Sequence, residues 1–265
     1  MPRLSLDSLT LTDTTPMALI AAAAAAGFDT ISMWVQEPAL YPSPTCTAAR
    51  LDDCLRLLAD SQVAVETIEV FDLHSAAALD SYRPALERGA RLGAGTALVL
   101  NYSNPDRAMS ADLLARFAAM AREHGLGTNL EPVAGGKTHT LVQARDLILA
   151  SGADVGITLD PHHLIRGGGS LADIAEIPAG MIRYVQLCDG PAVVAPELAP
   201  TEAIADRLYP GEGDFPLVEM LRLAPGDVTI GIECPSLTRV RAGRSPTEQA
   251  IEARAAMEAV LAKIA

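Results

Sequence analysis

Short apolar runs alternate with longer amphipathic segments rich in Ala and Leu along the whole chain. The apolar runs are mostly continuous instead of alternating with polar residues, which is typical of strands buried on both faces of a parallel sheet. The predicted strands are Leu4–Leu11, Thr30–Val35, Ala64–Asp72, Thr96–Tyr102, Gly127–Val133, Val155–His162, Ile182–Asp189 and Thr229–Pro235.

A helix is predicted after each strand, and several of these helices are followed by a glycine that can close the last turn. The predicted helices are Thr15–Ala26, Thr47–Ser61, Ala76–Leu92, Ala111–His124, Thr140–Ser151, Leu171–Ile177, Phe215–Leu223 and Pro246–Ile264. Eight strand–helix units in roughly 250 residues predict an α/β fold of the (β/α)8 TIM-barrel type, with residues 1–265 in a single domain. A doubly wound open sheet is the alternative, but no phosphate-binding glycine fingerprint follows the first predicted strand.

Composition and charge exclude several functional classes. The chain has 265 residues, 49% of them hydrophobic, and a net charge of −13 that repels nucleic acid and anionic lipid. The N-terminal residues do not form a signal peptide, and no apolar run reaches the ~18 residues of a membrane span, so we expect a cytoplasmic protein. The expected partner is a small molecule, a sugar or polyhydroxy acid. The oligomeric state is left open, a homo-oligomer included.

Four polar side chains lie at the ends of the fifth to eighth predicted strands: Glu131, Asp160, Gln186 and Glu233. Because neighbouring strands of a barrel end at the same rim, these oxygen-bearing groups should converge there. Three carboxylates and an amide oxygen predict a divalent metal site for Mg²⁺ or Mn²⁺, in which Co²⁺ can substitute. The alternative is that each carboxylate pairs with a basic residue, for example Arg166 or Lys137, and that no metal binds.

With these residues the chain resembles the xylose isomerase-like TIM-barrel superfamily of sugar phosphate isomerases and epimerases. The resemblance implies a metal held by Glu131, Asp160 and Glu233, with Gln186 standing where the family usually has His. The run Asp160-Pro161-His162-His163, together with Gln186, also resembles the 3-dehydroshikimate dehydratases of the same superfamily.

The expected chemistry is proton abstraction next to a carbonyl that the metal polarises. The resemblance to epimerases implies that Glu131 and Glu233 transfer the proton, and His163 is another candidate base or a hydrogen-bond donor that orients Asp160. An isomerase or epimerase acting on a sugar or sugar-like substrate is the first functional prediction. The alternatives are a 3-dehydroshikimate dehydratase-like lyase that uses the same metal site, and a non-catalytic sugar-binding barrel.

Four further residues are predicted to bind substrate. Glu69 lies near the end of the third predicted strand, and a salt bridge is its alternative role. Trp34 ends the second strand, where it can line the pocket or pack in the core. Arg166 precedes three glycines that could form an anion nest, and Arg207 precedes a Pro-Gly-Glu-Gly segment that resembles one in this family. An exposed surface position is the alternative for both arginines.

Overall fold

The computed structural model describes residues 2–36, 43–178 and 180–264. Within these residues, eight parallel strands close into a barrel in sequence order, and β1 pairs with both β2 and β8. The strands are β1 (Leu4–Leu6), β2 (Thr30–Trp34), β3 (Ala64–Asp72), β4 (Thr96–Leu100), β5 (Gly127–Glu131), β6 (Gly156–Leu159), β7 (Ile182–Leu187) and β8 (Thr229–Ile232). The (β/α)8 TIM-barrel prediction is therefore confirmed.

The helices surround the barrel. They are α1 (Pro16–Ala26), α2 (Leu51–Asp60), α3 (Ala76–Ser81), α4 (Arg83–Arg91), α5 (Arg107–Glu123), α6 (Leu141–Ser151), α7 (Pro161–Arg166), α8 (Leu171–Ala175), α9 (Ala199–Ala205), α10 (Leu217–Leu223), α11 (Leu237–Arg241) and α12 (Pro246–Leu261). All but α9 and α11 contribute buried apolar residues to the core. Hydroxyl side chains such as Thr15, Thr140 and Ser245 cap helix N-termini by accepting a bond from a first-turn backbone N–H.

Several predicted boundaries of strands and helices are wrong. The strand predicted over Leu4–Leu11 ends at Leu6, and Ser8–Leu11 form a 3-10 helix. The strand predicted over Val155–His162 ends at Leu159, because Pro161 begins α7. The helix predicted over Ala76–Leu92 is divided at Tyr82 into α3 and α4.

The long connection between β7 and α10 folds back over the C-terminal end of the barrel. At the start of this connection, the Asp189 carboxylate accepts hydrogen bonds from the backbone N–H groups of Gly190, Gly211 and Phe215 at 2.8 to 2.9 Å and so holds these parts of the connection together. The backbone N–H of Arg207 donates to Pro235 O at 2.9 Å. The connection is thus fixed to both β7 and the segment after β8, where the predicted site lies.

Membrane insertion through a helix finds no support in the described ranges. None of the helices there is long and apolar enough to cross a bilayer.

Candidate metal centre

Three of the predicted carboxylates and one histidine meet at the C-terminal end of the barrel. Glu131 is the last residue of β5, while Asp160 and Glu233 directly follow β6 and β8. His163 lies in the first turns of α7. All four side chains are buried, and their ligand atoms lie within 4.8 Å of one another. The barrel geometry therefore brings together the three carboxylates that the sequence predicts as ligands.

Arg207 is the cation closest to this cluster. Its Nη1 atom lies 2.8 Å from Asp160 Oδ2 and 3.0 Å from Glu233 Oε2, and the residue is only 2% exposed. The predicted alternative named Arg166 and Lys137 as partners, but Arg166 pairs with Glu202 and Lys137 is exposed. One guanidinium thus faces three carboxyl groups, whose ionised forms together carry more negative charge than it can balance.

The electrostatics of the cluster follow from burial and crowding. Burial, with the charges of Glu233 and Asp160, raises the pKa of Glu131 well above its usual value. Burial also raises the pKa of Glu233 to about 7, although Arg207 opposes it. For Asp160, burial is outweighed by Arg207, His163 and His162, which lower its pKa to about 2. A divalent cation would stabilise the charged forms of all three carboxylates.

Gln186 in β7 is fully buried beside Glu233 and offers a fourth oxygen. Its Nε2 atom donates to Glu233 Oε1 at 3.1 Å. Among the described residues, neither Gln186 Oε1 nor Glu131 Oε1 has a hydrogen-bond partner, although both atoms are buried. Buried oxygens without donors are costly unless a ligand satisfies them, so this set of residues fits a hard, oxygen-preferring cation.

His163 presents a nitrogen to the cluster, and its protonation follows from its other contact. Its Nδ1 atom accepts a bond from the Ala134 backbone N–H at 3.2 Å, which places the proton of the neutral ring on Nε2. Nε2 lies 3.8 Å from Glu131 Oε1, and burial lowers the His163 pKa to about 4. At neutral pH His163 is therefore an N–H donor facing the cluster.

The predicted substrate-binding residues Trp34 and Glu69 contact each other inside the barrel. Trp34 Nε1 donates to Glu69 Oε2 at 2.9 Å, and both side chains are buried. Burial and the charges of Asp7 and Glu233 raise the pKa of Glu69 well above its usual value. Glu69 therefore belongs to the same buried acidic interior as the cluster.

Arg166 lies beside the long connection after β7 and is tied to it. Its guanidinium donates to both carboxylate oxygens of Glu202 in α9, at 2.6 and 2.7 Å, and packs over the Phe215 ring at 5.0 Å. This ion pair holds α9, which ends two residues before Arg207, against α7.

Sequence reasoning missed two further polar residues of the interior, Asp7 and Tyr184. Asp7 follows β1 and is fully buried; its Oδ1 accepts bonds from Tyr184 Oη at 2.6 Å and Ser5 Oγ at 2.9 Å. The signal was available, because Ser5 and Asp7 stand two residues apart and so face the same side of the chain near the strand end.

Comparisons with known proteins agree with the barrel fold. The family model for the xylose isomerase-like TIM barrel matches residues 20–260. A 3-dehydroshikimate dehydratase of Pseudomonas aeruginosa is 31% identical over 231 residues, covering 82% of this chain and 35% of that protein. One from Pseudomonas putida is 27% identical over 230 residues, with the same coverage. The solved structure of a xylose isomerase-like TIM barrel/4-hydroxyphenylpyruvate dioxygenase fusion protein aligns with a TM-score of 0.82 and 22% identity, over 99% of this chain and 43% of that one. The chain thus spans about a third of the length of the curated relatives it matches.

Proposed function

Because the chain belongs to the xylose isomerase-like TIM barrel family, we propose that it is a divalent-metal-dependent lyase that dehydrates a cyclic keto acid of the 3-dehydroshikimate type. The main support for a metal-dependent reaction is that the buried side chains of Glu131, Asp160, His163 and Glu233 lie close enough together to bind one cation. The similarity to two 3-dehydroshikimate dehydratases favours this lyase over the isomerase or epimerase that the sequence pattern places first.

In this proposal Glu131, Asp160, Gln186 and Glu233 hold Mg²⁺ or Mn²⁺ through oxygen atoms. When bound, the cation acts as a Lewis acid that polarises the substrate carbonyl and so acidifies the neighbouring C–H bond. Arg207 contributes a fixed positive charge beside two of the ligands.

Glu131 is the proposed base, because its Oε1 atom has no hydrogen-bond partner in the described part of the chain. Glu131 takes the proton next to the carbonyl, the electron pair of that C–H bond forms the new double bond, and the bond to the neighbouring hydroxyl group breaks. The proton held by Glu131 leaves with this hydroxyl as water, so the carboxylate is regenerated. The Nε2–H group of His163 donates a hydrogen bond to the substrate carbonyl oxygen, which gains negative charge as the proton leaves.

The contacts of Glu233 also favour dehydration over epimerisation. An epimerase of this type needs a second carboxylate that delivers a proton to the opposite face of the same carbon. The natural candidate, Glu233, already has both carboxylate oxygens engaged, Oε1 by Gln186 and Oε2 by Arg207. Dehydration needs only one group to carry the proton, and Glu131 supplies it.

The substrate-binding roles of Glu69, Trp34, Arg166 and Arg207 remain predictions within this proposal. The Trp34–Glu69 pair offers a buried carboxyl oxygen to a ring hydroxyl of the substrate. Arg207 is the cation nearest to the centre and suits an anionic substrate. Arg166 acts indirectly, because its bond to Glu202 holds the segment that carries Arg207.

Incubation of the protein with 3-dehydroshikimate and Mn²⁺ tests the proposal, with formation of the aromatic product protocatechuate followed by absorbance. We expect product only when the metal is present, and none from Glu131→Gln. Glu66→Gln is the matched control, because Glu66 pairs with Arg3 and its side chain is 21% exposed. No product from the metal-loaded wild type refutes the lyase. Exchange of a C–H proton of a ketose would then favour an epimerase, and metal and sugar binding without turnover would favour the non-catalytic barrel.

A further inference from the structure

A compact hydrogen-bonded group lies directly beside the candidate metal ligands and is used by none of the steps above. It consists of Asp7, Ser5 and Tyr184, and it packs against Gly231 of β8. A Cβ atom at Gly231 would lie 2.2 Å from Tyr184 Oη and 2.5 Å from Asp7 Oδ2, so only glycine leaves room for this group. The barrel wall is therefore shaped to admit the Asp7 carboxyl and its phenol partner.

The two oxygens of Asp7 have different surroundings. Oδ1 accepts from both Tyr184 Oη and Ser5 Oγ. Oδ2 is buried, and no group among the described residues donates to it within hydrogen-bond distance. The Asp7 carboxyl lies over Gly231, and Gly231 is the register partner of Gln186 in β7. Gln186 follows Tyr184 by two residues and so faces the same side of the strand, which places its amide close to this carboxyl.

The Gln186 amide thus has two carboxyl groups as neighbours. Its Nε2 atom donates to Glu233 Oε1, and the Asp7 carboxyl lies nearby, over Gly231. An amide can turn by 180° with almost no change of shape, which exchanges its NH2 group and its oxygen. Two neighbouring acceptors favour the orientation in which NH2 faces them, and the oxygen is then the one amide atom without a partner in the described chain.

We propose that Asp7 is a positioning residue for the metal centre: together with Glu233 it fixes the Gln186 amide so that Oε1 is free to bind the cation. The inference rests on the metal site of the proposed function, and not on the identity of its substrate. A turned amide would present an NH2 group to the cation, and this repels a positive charge. A neutral glutamine can therefore serve as a metal ligand here only with an acceptor behind it.

Asp7→Asn tests this role with little change of volume. The asparagine oxygen can still accept from Tyr184 and Ser5, but an NH2 group now replaces Oδ2. That NH2 group favours the turned Gln186 amide, whose oxygen would face residue 7. We expect Mn²⁺ affinity, measured by competition with a chelating dye, to fall about 10- to 100-fold, the usual cost of losing such a supporting contact.

A double-mutant comparison separates positioning from a general structural effect. In the Gln186→Met background there is no amide to turn, so adding Asp7→Asn should change Mn²⁺ affinity by no more than about twofold. Asp72→Asn is the matched control. Asp72 is the last residue of β3, and its carboxylate also accepts hydrogen bonds, from Tyr102 N and Ser103 Oγ, but it is not one of the groups around Gln186. We expect its Mn²⁺ affinity to equal that of the wild type.

Equal loss of affinity with and without Gln186, or no loss in either background, would overturn the proposal. Circular dichroism of the metal-free variants reports folding. If Asp7→Asn does not fold, Tyr184→Phe is measured in both backgrounds instead and should weaken binding only when Gln186 is present. A wild type that binds no Mn²⁺ overturns the metal site and this inference together. Mn²⁺ binding without dehydration of 3-dehydroshikimate refutes only the lyase. The Mn²⁺ affinities of the Asp7→Asn variants then still decide whether Asp7 positions Gln186.

Discussion

Replacement of Arg207 by methionine should destabilise the metal-free protein and leave the metal-loaded protein much less affected. The change keeps an unbranched apolar stem and removes the charge that lies 2.8 Å from Asp160 and 3.0 Å from Glu233. Breaking a buried ion pair by removing one partner costs about 3–5 kcal/mol. For a chain of this size each kcal/mol lowers Tm by roughly 2–4 °C, so Tm without metal should fall by about 6–20 °C.

Thermal unfolding followed by circular dichroism, in chelator and in Mn²⁺, measures this effect. A cation at the centre supplies positive charge to the same carboxylates, so Mn²⁺ should raise Tm more in Arg207→Met than in the wild type. Arg145→Met is the control, because it breaks the partly buried pairs of Arg145 in α6 with Asp146 and Glu176, which include none of the predicted ligands. We expect it to lower Tm equally in chelator and in Mn²⁺.

The reasoning fails if Arg207→Met unfolds at the wild-type temperature in chelator. It also fails if Mn²⁺ stabilises the two proteins to the same extent. Either result would mean that the guanidinium does not offset the charge of the carboxylate cluster.

Three further predictions concern the predicted ligands. Glu131→Gln and Glu233→Gln should each keep the wild-type circular dichroism spectrum. The kcat of Glu131→Gln should fall on the order of 10²–10⁴-fold, the usual contribution of a proton-transfer group, and Glu233→Gln should weaken Mn²⁺ binding because it removes a charged ligand; near-normal turnover of Glu131→Gln, or wild-type Mn²⁺ affinity of Glu233→Gln, would remove that residue from the site. Gln186→His should shift metal preference from Mg²⁺ or Mn²⁺ toward Zn²⁺ or Co²⁺ in competition titrations, since imidazole nitrogen replaces an amide oxygen, and an unchanged preference would show that Gln186 is not a ligand. Burial raises the pKa of Glu233 from 4.5 to about 7, so the folded state holds a proton that the unfolded state has lost; Tm without metal should therefore fall as pH rises from about 4.5 through 7 while Mn²⁺ affinity rises, and a flat profile of both would contradict this assignment.

The sequence was sufficient for the barrel because its strands are buried on both faces and its helices on one. This difference produces two distinct hydrophobic patterns, and all eight predicted strands overlap an observed one. Strand ends were less predictable. Apolar residues continue past Leu6 into Leu9 and Leu11, which pack in the core from a 3-10 helix, so hydrophobicity alone could not place the end of β1.

The candidate site was predictable where it depends on strand order, because neighbouring strands carry their end residues to one rim. Arg207 could not be placed in this way. It lies in a long connection whose path depends on the Asp189 bonds and on pairing with the segment after β8, which no local pattern reveals. Asp7 was missed because the predicted strand runs on to Leu11, which puts Asp7 inside the strand and not at its end, and only the closed barrel sets it beside Tyr184.

The Arg166–Glu202 pair has a consequence for protein engineering. The connection after β7 carries both Glu202, which anchors it to α7, and Arg207, whose charge reaches the barrel interior. A loop graft from a relative at this position would therefore exchange a surface segment and a counter-ion in one step. A chimera that keeps both residues should accept a new loop tip, such as the stretch around the exposed Val193, without disturbing the centre. One that omits them would import a charge imbalance into the middle of the barrel, however well its backbone fits.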